Sequence, residues 1–370
     1  DKALKYLEEA LVICRKLGRE DGVAASLNGI GGVYDSLGQY DKALKYLEEA
    51  LVICRKLGRE DAVSGTLNSI GAIYVSLDQD DKALKYYEES LVICRKLGLE
   101  DSIANRLNNI AGLYYSQSNY TSAIKNYIES ISIKEKLRKT APGVVRRDYL
   151  ASQLHTYQWL AFAYIRDYDI SNAFQTIELS RAKLMAEWLA RDESKIQLPS
   201  VKQIQETLDN DTVVLVYANV EWEGIIEIAI TREGVEGRDV SGKSFVKSSI
   251  DKYDKPIKIL LENQRGITVT KKDKKDQLLS DRTETKSDFD NIINYYRFLL
   301  KNPSLHDERG VEVIGEKYKE NRIADARELG KALYDLLIKP MEAQVMDKKN
   351  IIIVPDGVLA FVPFETLIDE

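Results

Sequence analysis

The sequence predicts an α-solenoid followed by an α/β domain, and three observations carry that prediction. Residues 1–20 and 41–60 are identical at all 20 positions, and residues 81–100 differ from them only at Tyr87, Ser90 and Leu99. Within each 40-residue period, apolar residues recur at helical spacing. From Thr212 onward the pattern changes to period two and to short apolar runs, with helical stretches between them, as in an α/β domain.

Each period holds two helical patterns. The stretch 41–58 places Ala43, Leu44, Leu47, Leu51 and Cys54 on one face, with Asp41 as an N-cap and Gly58 as a stop. The stretch 61–77 places Val63, Leu67, Ile70, Gly71 and Tyr74 together. Small residues recur where the two helices must cross: Gly31, Gly71 and Ala111 on one, Ala43, Ala83 and Ala123 on the other. Antiparallel helix pairs that each bury a face only against their neighbours make a solenoid. A fourth, diverged unit begins near Tyr120. The cysteines Cys14, Cys54 and Cys94 lie 40 residues apart in the context LVICRKLG. One per unit reads as a small core residue, since periodicity along a superhelix keeps metal ligands apart.

The pattern LNxIxxxYxSL followed by KALKYYEESL resembles the tetratricopeptide repeat, in the 40-residue variety of kinesin light chains and LGN-type scaffolds. Residues 106–131, RLNNIAGLYYSQSNYTSAIKNYIESI, show it fully. The resemblance spans about residues 1–190. It implies a right-handed superhelix with repeats over 1–140, a diverged capping helix pair over 141–192, and a concave groove lined by the first helix of each unit. The chain opens on the second helix of a unit, so a longer N-terminal array is expected. The second helices are near copies, whereas the first helices vary at polar positions: Ala25, Gly65 and Asn105; Gly29, Ser69 and Asn109; Asp35, Val75 and Tyr115. One reading is drift after duplication. The other is a groove tuned for an extended peptide, with Asn28, Asn68 and Asn108 as a ladder and Asn105, Asn109 and Tyr115 beside it. Asparagine can donate to and accept from a peptide backbone at once. Replacing Asn68 and Asn108 with alanine is then expected to weaken partner binding at unchanged melting temperature.

Pro142-Gly143 interrupts the fourth unit, and two longer helices are expected over 145–167 and 170–191 without the 40-residue period. They would pack on both domains and couple them. His155 lies in the first of these and reads as a surface or satisfied core residue. A polar linker, 192–200, ends at Ser200, which suits the N-cap of a short helix through Leu208. The second domain is expected over 200–370. Strands are expected at 212–220, 225–233 and 235–240, a broken helix at 245–265, a solvated polar loop at about 266–288, and helices at 289–302 and 323–346, the latter split at Pro340. A strand at 351–354, buried on both faces, then enters a Pro355-Asp356-Gly357 turn and a second strand at 358–362. A sheet that ended there would have an exposed apolar edge.

The stretch VPDGVLAFVPFETL (354–367), preceded by TVVLVYANVEWEGIIEIAITREG and ELGKALYDLLIKPM, resembles the N-terminal part of a CHAT domain. This caspase- and separase-like module is commonly fused to tetratricopeptide repeats in bacteria. The resemblance implies a cysteine peptidase with a His-Cys dyad downstream of the PDG…PFE stretch. No Cys follows Cys94, and His306 in NPSLHDERG is upstream, so no catalytic residue is assigned here and the chain reads as a fragment. Asp356 and Glu365 read as turn and strand-end residues. The implied function is a repeat array that senses a protein or peptide and regulates a fused peptidase; the alternative is a non-catalytic scaffold.

Composition bounds the rest. Charged residues make up 30% and hydrophobic residues 44%, and the net charge is -6. That balance argues against nucleic acid as partner. No apolar run of about 18 residues suggests a membrane span. Three cysteines at one repeated position do not form a disulfide framework, which fits a cytoplasmic protein. No phosphate-loop spacing or metal-ligand cluster appears, so no cofactor and no metal are expected.

Overall fold

A computed structural model describes residues 2–141, 143–188, 197–220, 224–241, 247–249, 252, 288–301, 322–356, 359, 360, 362, 364 and 367. The chain divides into two compact units: 1–167 with 180–194, and 168–179 with 195–370.

The first unit is a run of antiparallel helices: α1 (Lys2–Lys16), α2 (Glu20–Ser36), α3 (Tyr40–Lys56), α4 (Glu60–Ser76), α5 (Asp80–Leu97), α6 (Glu100–Ser116), α7 (Tyr120–Thr140) and α8 (Gly143–Arg166); α9 (Ile170–Trp188) is divided between the two units. The turns explain the period. Gly18, Gly58 and Gly98 take φ of 67°, 66° and 67°, the left-handed conformation that ends α1, α3 and α5. Asp41 is not a cap: α3 begins a residue earlier, with Gln39 in the cap position and no side-chain bond. Asp41 lies instead in the first turn, where the helix dipole favours a carboxylate. The small residues act as expected. A Cβ on Gly31 would lie 2.7 Å from Leu47, and one on Gly71 2.7 Å from Tyr87. Ala43, Ala83, Ala111 and Ala123 are fully buried. Cys54 and Cys94 are buried as read, whereas Cys14 is only half-buried.

The 40-residue spacing ends at the junction as expected, although the turn conformation recurs once more. Gly38, Asp78, Ser118 and Tyr168 occupy the same turn with φ of 67°, 54°, 59° and 62°. Their spacings are 40, 40 and then 50 residues. The last step is ten residues longer, in agreement with the expected loss of the 40-residue period, and α7 and α8 are longer than the helices before them.

The second unit holds a four-stranded sheet in the order β3-β2-β1-β4, with β1 (Thr212–Val220), β2 (Gly224–Ile230), β3 (Val235–Val240) and β4 (Asn350–Val354). β1 pairs antiparallel with β2 and parallel with β4. One sheet face, with Val213, Leu215, Tyr217, Ile225 and Ala229, packs on α11 (Asp288–Lys301) and α12 (Arg322–Leu337). The short α10 (Val201–Thr207) is capped as expected by Ser200, in a reciprocal pair with Gln203. Pro340 splits the last helix into α12, a 3-10 turn (Lys339–Met341) and α13 (Glu342–Val345). Of the helix expected at 245–265, residues 247–249 and 252 are helical and the others lie outside the described residues, as do 266–287 and His306.

The stretch after β4 differs from the expected hairpin. Leu359 and Ala360 are in a 3-10 turn, and Leu359 and Val362 are buried in the core. The Leu359 amide donates to the Asp356 carbonyl and the Val362 amide to the Leu359 carbonyl, each at 3.0 Å. Spacing of three residues brings Leu359 and Val362 onto the core, and the flanking prolines lack the amides that a ladder needs. β4 is likewise not buried on both faces: Ile351 and Ile352 are 45% and 48% exposed.

Candidate functional site

The stripe shared by α2, α4, α6 and α8 brings most of the polar residues singled out above together. α2 approaches α4, and α6 approaches α8, backbone to backbone. The odd-numbered helices are instead bridged by long side chains, Arg15 to Glu49 (2.7 Å), Arg55 to Glu89 (2.6 Å) and Arg95 to Glu129 (2.8 Å). Asn28, Asn68 and Asn108 lie half-buried along the closer side. Each gives its side-chain carbonyl to the next unit. Asn28 Oδ1 accepts from Thr66 Oγ1 at 3.0 Å, Asn68 Oδ1 from Asn109 Nδ2 at 3.0 Å, and Asn108 Oδ1 from Thr156 Oγ1 at 3.1 Å. Their Nδ2 groups make no hydrogen bond. The ladder is therefore a row of donors tied repeat to repeat, not of groups free to donate and accept. The expectation of unchanged melting temperature on alanine substitution is corrected accordingly, since each truncation also removes an inter-repeat bond.

Asn105 donates through Nδ2 to Asp101 at 3.3 Å. Tyr115 packs edge-on against Trp159 and Tyr120, with ring centroids 5.1 and 5.5 Å apart. The Trp159 indole N–H donates to His155 Nε2 at 2.9 Å, which leaves His155 satisfied and exposed. Trp159, Thr156 and His155 were not assigned from the sequence. The signal that places them is the 50-residue step, because α8 then aligns with the earlier first helices and Trp159 falls at the position of Asn109.

The third unit carries a linked buried pair that the first two lack. Ser90 Oγ donates to the Ser64 carbonyl at 2.7 Å and accepts from Arg106 Nε at 2.8 Å. Burial depresses the buried Arg106 guanidinium's proton affinity. In the fourth unit Lys134 occupies the cysteine position, buried and without a hydrogen bond, and desolvation holds its pKa below the ordinary lysine value while Asp101 opposes the shift. Farther along, Glu135 accepts from Arg138 and Lys183 at 2.9 Å each. Burial pushes Glu135 up, but those two cations outweigh it and keep the carboxyl below its usual range. This network joins α7 to α9.

In the second unit Glu227 on β2 is fully buried, with neither carboxylate oxygen hydrogen-bonded. It pairs across the sheet with Tyr217 and with Arg238. Burial pushes its pKa to about 8, opposed in part by Arg238. Tyr217 donates to the Leu337 carbonyl at 2.6 Å and is turned away from acid–base work. All three cysteines lie in the repeats, so this unit has no thiol. Among the described residues no group of three metal-ligating side chains converges, and no helix is long and apolar enough to cross a membrane.

Residues 1–56 and 63–136 match the tetratricopeptide repeat family. The array is a tetratricopeptide repeat array. Residues 327–370 match part of the CHAT domain. No curated protein is significantly similar to the chain. Among solved structures, BtubC (BKLC) from P. vanneervenii is 24% identical, with 54% of this chain and 78% of that chain covered and a TM-score of 0.46. A putative kinesin light chain from Podosopora anserina with nearly identical TPR-like repeats is 22% identical over 50% of this chain and 87% of that one, at a TM-score of 0.41. The apo form of RapI is 17% identical over 52% and 54%, at a TM-score of 0.41. The tetratricopeptide array gives the chain a protein-interaction module, followed by an α/β unit that carries the CHAT match.

Proposed function

We propose that the tetratricopeptide array captures an extended segment of a protein partner on the α2–α4–α6–α8 face, and that capture regulates a caspase-like cysteine peptidase of the CHAT type. The catalytic His and Cys of that peptidase are not in this chain. The observation that carries the binding reading is the row of unpaired Nδ2 donors on Asn28, Asn68 and Asn108, one per repeat. Donors spaced along a groove suit the carbonyls of an extended backbone and demand little of its side chains. Asn105, Asn109, Tyr115 and Trp159 flank the row. The acidic balance of the chain supports a protein partner over nucleic acid or a membrane surface.

Fluorescence anisotropy against a pool of labelled decapeptides tests the binding reading. The Asn68→Ala/Asn108→Ala double variant is expected to lose about thirtyfold in affinity while keeping its helical circular dichroism, at about 1 kcal/mol per lost hydrogen bond. Unchanged affinity in a folded variant would remove the ladder. The second reading is a non-catalytic scaffold in which the CHAT-like part only joins partners. A cleavage assay on the intact protein separates the two. Peptide-dependent proteolysis supports regulation, and its absence leaves the scaffold.

A further inference from the structure

We propose that the α2–α4–α6–α8 face selects a basic peptide, whose lysine or arginine side chains are received by Asp35 and Asp101. This rests on the peptide-binding reading above and assigns the partner's chemistry.

Charge is segregated between the two kinds of helix over α2 to α7, whereas α8 carries Arg146, Arg147 and Arg166 against Asp148. α2 and α4 carry five carboxylates (Glu20, Asp21, Asp35, Glu60, Asp61) and no lysine or arginine. The one cation of α6, Arg106, is buried and turned to Ser90. α7 on the other side carries Lys125, Lys134, Lys136, Arg138 and Lys139 against Glu129 and Glu135. Most carboxylates of the first helices are neutralised within the array. Glu20, Glu60 and Glu100 are bridged by Lys56, Lys96 and Lys136. Asp21 and Asp61 are bridged by Arg19 and Arg59, at 3.4 and 3.0 Å.

Two carboxylates escape this neutralisation. The third unit has Leu99 where the first two have Arg19 and Arg59, so Asp101 has no ion pair: the Asn105 amide bonds it at 3.3 Å, and the buried cations Lys134 and Arg106 lie near enough to feel its charge. Asp35 lies in the last turn of α2, where the helix dipole opposes a negative charge, and no ion pair engages it. Later units place Val75 and Tyr115 there. On the helix that bears Asp101, Tyr115 meets Trp159, which is held by His155, and together they form an aromatic wall. Such a wall accepts a cation or the aliphatic stem of lysine or arginine. A basic peptide complements this face, whereas an acidic one meets unpaired like charge.

The test uses the full 370-residue chain and an immobilised random decapeptide library, followed by anisotropy on individual peptides. Bound peptides are expected to be enriched in lysine and arginine. A peptide with two arginines is expected to bind about tenfold more tightly than its glutamine counterpart, the gain of two partly exposed charge pairs. Two variants should abolish that ratio: Asp35→Asn/Asp101→Asn, and Leu99→Arg, which recreates the ion pair of the first two units. Peptides that bind without basic preference, or a preference that survives in both variants, would overturn this inference alone. Failure of every peptide to bind would overturn the peptide-binding reading together with it.

Discussion

Glu227 shows what one residue can cost. Its carboxyl is enclosed between Tyr217 and Arg238 in the sheet and has no hydrogen bond, so the fold keeps it protonated to about pH 8. In the unfolded chain it ionises near pH 4.3. The folded pKa is raised, so stability is fully present below the unfolded value and falls as pH rises toward about 8. Urea unfolding of the wild type should therefore show a loss of a few kcal/mol between pH 4.5 and 8. Glu227→Gln should flatten that slope and be the more stable protein at pH 8; an unchanged slope would exclude Glu227 as its source. The sequence IIEIAI shows one polar letter in an apolar strand, but the missing hydrogen-bond partners lie on no neighbouring position and only the fold reveals their absence. The same holds for Leu99 and Lys134. Each is visible as a departure from the repeat, yet what it frees or buries depends on side chains from the adjacent helices.

At the scale of the helix pair, glycine has opposite meanings at two places in α4. Nothing lies within 4 Å of a Cβ built on Gly65, whereas one on Gly71 would lie 2.7 Å from the Tyr87 ring. Gly65→Ala should raise thermal stability by about 0.5–1 kcal/mol through helix propensity. Gly71→Ala should lower it by about 1–3 kcal/mol because the crossing of α4 and α5 must open. Paired thermal melts decide this, and equal shifts would deny the crossing its role. The repeat helices, their small crossing residues and the three strands β1 to β3 were legible because period and composition agree there. Helices α8 and α9 were legible as well, but the recurrence of the turn between them was not, since its marker is a backbone conformation shared by Gly38, Asp78, Ser118 and Tyr168, four different residue types. The stretch after β4 misled for a related reason. A short apolar run fits a strand or a buried turn equally well, and burial of Leu359 and Val362 against the helices selected the turn.

For the molecule as a whole, the exposed strand β4 is the feature with the largest physical consequence. It stands at the edge of the described sheet with Ile351 and Ile352 about half exposed. Open apolar edges pair with other chains. Light scattering over a concentration series should show association that Ile352→Lys suppresses without loss of strand signal; association unaffected by the charge would place its cause elsewhere. The sequence by itself determined the period, the helix pairs of the repeats, the change to an α/β pattern near Thr212 and both family resemblances, because local periodicity and exact repetition are properties of the linear chain. Only the tertiary structure decided that the asparagine carbonyls are spent between repeats while their amides are not, that Asp35 has no ion pair, and that Glu227 is sealed without a partner. Those outcomes depend on which groups meet across helices and strands, and that is set by packing between residues 16 to 48 or more positions apart.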